Sequence, residues 1–309
     1  MSKPARAALR GVYAAAVTPF TADLEPDLPA FVAHCRWLLD NGCDGLAPLG
    51  TTGEASSMST DQKLRLLEAL VLAGLPVERM IVGTGTPALA ETVVLTRRAR
   101  AMGFGGVLVL PPFYYKNPPE DGLYAFFSEV IERTGDENLC LYLYHFPQMS
   151  GVPITPSLIR RLRTRYPDIV AGLKDSSGDW SNTAAILAEN PGFGVFSGSE
   201  QYLADNLQAG GAGTISATVN VTAPHAARVF AGWQSGDVAT IQAELTEARL
   251  AIQKFPLVGA LKAVKAVATG DGSWNRTLPP LRPLPEADAR ALLESLRDLP
   301  AARRALAQA

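Results

Sequence analysis

The sequence predicts a (β/α)8 barrel with a helical extension, and three observations point to it. Short apolar runs alternate with amphipathic helical stretches, the alternation repeats eight times, and from about residue 237 the strand signal stops. Strands alternating with helices form a parallel sheet covered on both faces, and eight such units are what a closed barrel needs. The rival is an open doubly wound sheet. It usually has fewer units and often a glycine-rich nucleotide loop after its first strand, where this chain has Thr18-Pro19-Phe20. The expected organisation is residues 1–236 as the barrel and 237–309 as a helical extension packed on it, since no flexible linker separates them.

Taken in order, residues 11–17 are a small, apolar first strand ended by Thr18-Pro19. Residues 27–41 carry Leu28, Phe31, Val32, Leu38 and Leu39 at helical spacing and close on Gly42. Residues 45–49 are the second strand, with Gly50-Thr51-Thr52-Gly53-Glu54 as its exit loop. Ser59 opens a helix that runs to Leu75, its end marked by Gly74 and Pro76. Strand and helix then recur at 80–83 and 90–102, at 106–110 and 121–134, and at 139–144 and 156–166. The run 169–171 is the sixth strand, with Lys174 at its C-terminal end and a helix at 180–190. Residues 194–197 with 201–209, then 213–216 with a helix from about 223, complete the set. In the extension, 237–253, 258–269 and 286–297 read as helices, broken by Phe255-Pro256 and by the proline-rich stretch 278–285.

Composition narrows the function. A chain of 309 residues, 47% hydrophobic and 19% charged, suits one large domain with or without an appendage. The net charge of −2 and the lack of like-charge runs argue against nucleic-acid or membrane-surface partners, leaving small molecules and further copies of the chain. Cys35, Cys43 and Cys140 have neither paired spacing nor a histidine cluster, so neither a disulfide framework nor a metal site is expected. Residues 1–10 lack an apolar signal core, and no later segment offers about 18 uninterrupted apolar residues. A reducing cytoplasm is the expected setting.

In a barrel of this kind the chemistry lies at the C-terminal ends of the strands. Lys174 stands there, within Gly172-Leu173-Lys174-Asp175-Ser176-Ser177-Gly178-Asp179. Pressed into an apolar mouth, its ammonium form is disfavoured by desolvation, and the free amine can form a Schiff base with a carbonyl substrate. The alternative is a rim lysine whose charge pairs with Asp175 or Asp179. The loop Gly50-Thr51-Thr52-Gly53-Glu54 offers two hydroxyls and several amides to one anion, which suits the carboxylate of a 2-oxo acid. A phosphate is the second possibility, without a Lys or Arg in the loop to support it, and an ordinary glycine-rich turn the third. Tyr144 ends the fifth strand. Its phenol either caps the core or, close to the lysine and a threonine hydroxyl, moves protons during carbinolamine formation and carbon–carbon cleavage. Pro111-Pro112-Phe113-Tyr114-Tyr115 ends the fourth strand and supplies an aromatic for a hydroxyl relay, or packing only. Gly198, after strand seven, lets backbone approach a ligand. His145 reads as a wall residue or one that supports the wall, rather than a base, and His34 and His225 as surface or core packing. The absence of an acidic cluster or paired histidines disfavours a metal-dependent aldolase.

Together, Gly50-Thr51-Thr52-Gly53-Glu54, Tyr144-His145-Phe146-Pro147 and Gly172-Leu173-Lys174-Asp175 resemble the signature set of the dihydrodipicolinate synthase / N-acetylneuraminate lyase family of pyruvate-type class I aldolases. The resemblance covers nearly the whole chain, including Val17-Thr18-Pro19-Phe20 and the helical tail. It implies a lyase on a (β/α)8 barrel, a homotetramer built as a dimer of dimers, and no metal or organic cofactor. It also implies roles: Lys174 as the Schiff-base lysine, Tyr144 as general acid and base, and Thr51 and Thr52 as the carboxylate-binding pair, with Thr51 also in the proton relay. Tyr115 matches an aromatic that crosses a subunit interface in the synthases. Gly50 belongs to the threonine motif, and Gly198 and Ile215 match positions that close around the bound 2-oxo acid.

Four residues depart from the branches of that family. Met149 stands where the synthases carry an arginine for the aldehyde's carboxylate, and a thioether cannot pair with that group. The Asp-Glu pair with which sialic acid lyases hold sugar hydroxyls is Glu200-Gln201 here, and their serine after strand eight is Ala217. Gly172-Leu173-Lys174-Asp175-Ser176 looks more like the 2-keto-3-deoxy sugar acid and 4-hydroxy-2-oxoglutarate aldolases. The function expected is cleavage or formation of a 4-hydroxy-2-oxo acid with pyruvate as one fragment. The partner aldehyde is expected to be a neutral hydroxyaldehyde or a semialdehyde, because no cation is seen in the sequence to replace the missing arginine. A synthase, a Schiff-base dehydratase and a non-catalytic 2-oxo acid binder are the alternatives.

Overall fold

The computed structural model describes residues 9–307, so the reading of residues 1–8 as free of a signal core lies outside the described residues. In chain order the elements are β1 (Gly11–Ala14), α1 (Leu28–Asp40), β2 (Gly45–Leu46), α2 (Thr60–Leu72), β3 (Ile81–Gly83), α3 (Leu89–Ala101), β4 (Gly106–Val109) and α4 (Glu120–Thr134). They continue as β5 (Leu141–His145), α5 (Pro147–Ser150), α6 (Pro156–Arg165), β6 (Val170–Asp175), α7 (Trp180–Glu189), β7 (Gly194–Ser197), α8 (Leu203–Gln208), β8 (Gly213–Ser216) and α9 (Val219–Gly232). The remaining helices are α10 (Val238–Ile252), α11 (Leu257–Thr269), α12 (Glu286–Leu296) and α13 (Pro300–Leu306).

All strand pairs are parallel, in the order β2-β1-β8-β7-β6-β5-β4-β3. The Gly83 amide donates to the Pro48 carbonyl at 2.9 Å and joins the two ends of that order. The result is a (β/α)8 barrel. Tyr13, Tyr142 and Phe196 fill its interior with rings meeting edge to face, and Ile81, Leu108 and Ile215 pack with them. A second apolar layer lies between strands and outer helices, and a third joins α11 to α12 and α13 through Leu261, Val264, Leu292 and Leu296. No described helix is long and apolar enough to cross a membrane.

Four differences from the sequence reading have local causes. The sixth strand runs to Asp175, past the expected end at residue 171, so Lys174 is its penultimate residue. Gly172 is glycine because a Cβ there would meet the Tyr142 ring and the Gly194 carbonyl oxygen, not because the strand ends. The second strand stops at Leu46: Pro48 has no amide to donate and Leu49 takes a left-handed φ of 61°. The helix after strand eight begins at Val219, not near residue 223, and carries Pro224 in its second turn. Helix α13 is not predicted from the sequence pattern, because Ala301, Ala302 and Ala305 give a weak apolar stripe.

Candidate active site

The register across β5 and β6 pairs Tyr144 with Lys174 directly. Side chains alternate along a strand, so residues paired in register point to the same face, here the barrel interior. Each is only 5% exposed, the Tyr144 hydroxyl lies 3.3 Å from Lys174 Nζ, and Nζ sits 4.4 Å from the phenol ring centroid. No carboxylate among the described residues lies within ion-pair distance of Lys174. Asp175, the nearest in sequence, is turned away. Its Oδ2 accepts from Asn182 Nδ2 and Thr183 Oγ1, both at 2.8 Å, and its Oδ1 from the Ser177 amide at 2.8 Å. Asp179 caps α7 through the amides of Ser181 and Asn182. Both partners of the rim ion-pair reading are thereby occupied elsewhere.

Lys174 and Tyr144 open onto a cavity of about 1120 Å³ at the C-terminal ends of the strands. Thr51 and Thr52 line the same cavity, and their hydroxyls and amides make no hydrogen bond to another described residue. Their loop is pinned from two sides. Thr18 Oγ1 donates to the Gly53 carbonyl at 2.9 Å, and Glu54, at a left-handed φ of 59°, is buried against Lys262 of α11. Glu54 also accepts from the Leu278 amide at 2.7 Å, while Lys262 donates to the Arg276 carbonyl at 2.6 Å and lies 4.3 Å from the Phe20 ring centroid. Burial pushes the Glu54 carboxyl up and the Lys262 ammonium down, and their mutual attraction opposes both shifts. This ion pair fastens the threonine loop to the C-terminal helices and holds Thr51 and Thr52 in place.

The other expected site residues divide into two groups. Gly198 lines the cavity, and a Cβ there would strike Ser176 and the Asp175 carbonyl oxygen. Met149 lines it too, 57% exposed, carried out by the short helix α5. Ile215, by contrast, is enclosed in the barrel interior, and Ala217 two residues on reaches the cavity wall. Gly50 stands just before the wall residues of its loop. Tyr115 is 74% exposed, meets Tyr114 edge to face, and does not line the cavity of its own chain. His145 Nδ1 accepts from the Ile154 amide at 3.0 Å, so it braces the α5 loop rather than facing the cavity.

Sequence reasoning missed the roof. Pro256 to Gly259 and Pro280 to Pro285 of the C-terminal region close over the cavity, and Arg249 of α10 and Arg282 line it as well. The sequence shows no cation in place of the missing arginine, whereas the structure puts two arginines on the cavity wall. Arg249 gave no signal because it sits within an ordinary helical pattern of a segment read only as packing.

Comparison with known proteins agrees with this architecture. The model of the Dihydrodipicolinate synthetase family matches residues 8–298. A DapA-like lyase from Chloroflexus aurantiacus is 37% identical over 291 residues, 92% of this chain and 94% of that protein. The crystal structure of dihydrodipicolinate synthase from Agrobacterium tumefaciens superposes with a TM-score of 0.87 at 30% identity, covering 94% of this chain and 99% of the other. That of YagE, a prophage protein of the same family from E. coli K12 in complex with pyruvate, does so with a TM-score of 0.84 at 27% identity, covering 94% and 98%. The barrel, its C-terminal roof and these matches place the chain in the dihydrodipicolinate synthetase family, and it is a lyase of that family.

Proposed function

We propose that this lyase cleaves or forms a 4-hydroxy-2-oxo acid through a Schiff base between Lys174 and the pyruvate portion of the substrate. The observation that carries the reading is the buried Lys174 amine, 3.3 Å from the Tyr144 hydroxyl, without a carboxylate partner and open to a cavity. In the cleavage direction the unprotonated amine attacks the 2-oxo carbon, and the carbinolamine loses water to give an iminium. Tyr144 takes the proton of the 4-hydroxyl, the bond between carbons three and four breaks, and its electron pair enters the iminium to form an enamine while the aldehyde departs. Reprotonation of the enamine and hydrolysis by water release pyruvate and free Lys174. The hydroxyls and amides of Thr51 and Thr52 hold the 2-oxo acid carboxylate, and Thr51 relays protons with Tyr144. No metal or organic cofactor is needed, since the imine itself is the electron sink.

Tyr114 and Tyr115, both exposed, suit contact with a second copy in a dimer of dimers, where Tyr115 would join the relay of its neighbour. A cytoplasmic setting fits buried, unpaired Cys35, Cys43 and Cys140.

The test is borohydride reduction in the presence of pyruvate, followed by a panel of 4-hydroxy-2-oxo acids read by pyruvate release as kcat/KM. A covalent adduct lost in Lys174→Ala, with at least one acid cleaved, supports the reading. Absence of any adduct from the native protein contradicts it. The similarity to the Agrobacterium synthase favours a second reading, condensation of pyruvate with aspartate semialdehyde, and turnover of that pair in preference to every acid on the panel would establish it.

A further inference from the structure

The cavity holds a cation that neither the Schiff-base chemistry nor the threonine loop uses. Arg249, in the last turn of α10, is 13% exposed, lines the cavity and is held by the ends of β7 and β8. Its Nη1 donates to Ser216 Oγ at 3.3 Å and Thr218 Oγ1 at 3.0 Å, and its Nε to Gln253 Oε1 at 3.2 Å. Its Nη2 has no acceptor among the described residues. Behind it lies Glu200, fully buried, whose carboxylate accepts from Ser216, Thr218 and Thr222 and stands 3.8 Å from Nη1. That separation is too long for a direct hydrogen bond. Glu200 thus compensates the buried charge and fixes the plane of the guanidinium through shared hydroxyls, while one edge of the fork stays unspent.

Its place relative to the lysine follows from the wall they share. Lys174, near the end of β6, and Arg249, bonded to Ser216 at the end of β8, line the same cavity. A 2-oxo acid held at Lys174 with its chain running toward the roof therefore brings a distal group to Arg249. Of the acceptors a substrate chain can bring to an unpaired guanidinium edge, a carboxylate is the strongest and matches its planar fork.

We propose that Arg249 recognises a second, distal carboxylate, so that the substrate is a dicarboxylic 4-hydroxy-2-oxo acid and the departing aldehyde is an acid semialdehyde rather than a neutral hydroxyaldehyde. This rests on the 2-oxo acid being held at Lys174 as proposed above. Arg249 takes the task that Met149 cannot perform, from the opposite side of the cavity mouth.

The test uses the full-length chain and two probes of equal length, 2-oxoadipate and 2-oxohexanoate, which differ in the distal carboxylate alone. Their affinities are measured by calorimetry, which registers binding with or without an imine, and pyruvate trapping is run on the same samples. The native protein is expected to prefer 2-oxoadipate by at least about tenfold, Arg249→Gln to erase that preference, and Arg249→Lys to restore part of it. Circular dichroism and pyruvate trapping report whether the variants keep their fold and their lysine chemistry. Equal affinities in the native protein overturn the proposal. So does a preference that survives in folded Arg249→Gln, or one that vanishes in Arg282→Gln instead, which would move the site to the exposed rim. A preference abolished by Arg249→Gln in a protein that never traps pyruvate would keep the anion site and refute the Schiff-base reading; trapping without any preference would do the reverse.

Discussion

The barrel mouth and the seam beneath its roof each bury a lysine, and the two differ in what surrounds the amine. Lys174 faces an open cavity with a phenol hydroxyl as its near polar neighbour, and the adjacent carboxylate of Asp175 is spent on α7. Lys262 is fully enclosed, paired with Glu54 and bonded to the Arg276 carbonyl. A third lysine, Lys265, sits one turn along α11 with its amine 4.8 Å and 5.5 Å from the ring centroids of Trp37 and Trp274, and has no carboxylate within ion-pair distance among the described residues. Burial is common to all three. What makes Lys174 a candidate nucleophile is the combination of an accessible face, a proton partner and no counter-ion, whereas Lys262 is a structural tie and Lys265 a charge tolerated by aromatic faces.

Substitutions separate these roles. The largest effect belongs to Lys174→Ala, which should lower turnover by about 10³ or more and eliminate trapping while leaving the thermal midpoint close to that of the native protein. Next, Tyr144→Phe should lower kcat by roughly 10² to 10⁴, with pyruvate still trapped but more slowly, as stopped trapping time courses would show. In the seam, Lys262→Met leaves Glu54 buried and unpaired and should cost about 3–5 kcal/mol in denaturant unfolding. The double variant Lys262→Met, Glu54→Gln should recover part of that loss, and its failure to do so would remove the ion pair from the account.

Lys265 should behave in the opposite sense. Burial pushes its ammonium down to about 8 from the usual lysine range. Between about pH 8 and 10.5 the unfolded chain therefore binds more protons here than the folded one, so this residue's contribution to stability rises with pH over that window and is unfavourable below it. Lys265→Met should accordingly stabilise the fold near neutral pH, by at most about 3 kcal/mol, and flatten the pH dependence of the thermal midpoint above pH 8. His34, pushed down to about 3 by burial with Lys265 nearby, stays neutral throughout and donates from Nε2 to Asn220 Oδ1 at 2.8 Å, so it adds nothing to that slope.

The chemistry at the strand ends was legible because a barrel ties position in sequence to position in space. Once eight strand-helix units are read, residues that end strands must share one mouth, and the resemblance of the motifs around Lys174, Tyr144, Thr51 and Thr52 singles these out among them. The extent of β6 was not legible, because Gly172 looks like a terminator until the Tyr142 ring against it is seen. The roof was hidden for a different reason. The proline stretch reads as a connector, and Arg249 reads as the polar face of a helix. Only the packing of α10 against the exits of β7 and β8 turns that face inward. Likewise Glu54 and Lys262 are each unremarkable in sequence, and their pairing is set by how α11 crosses the first two strand exits.

The most direct measurement is peptide mapping of the protein after reduction with borohydride in the presence of pyruvate. One adduct is expected, on the peptide that carries Lys174, with the peptide carrying Lys262 and Lys265 unmodified. An adduct on either of those lysines, or efficient cleavage of a 2-oxo acid with Lys174 never modified, would contradict that expectation.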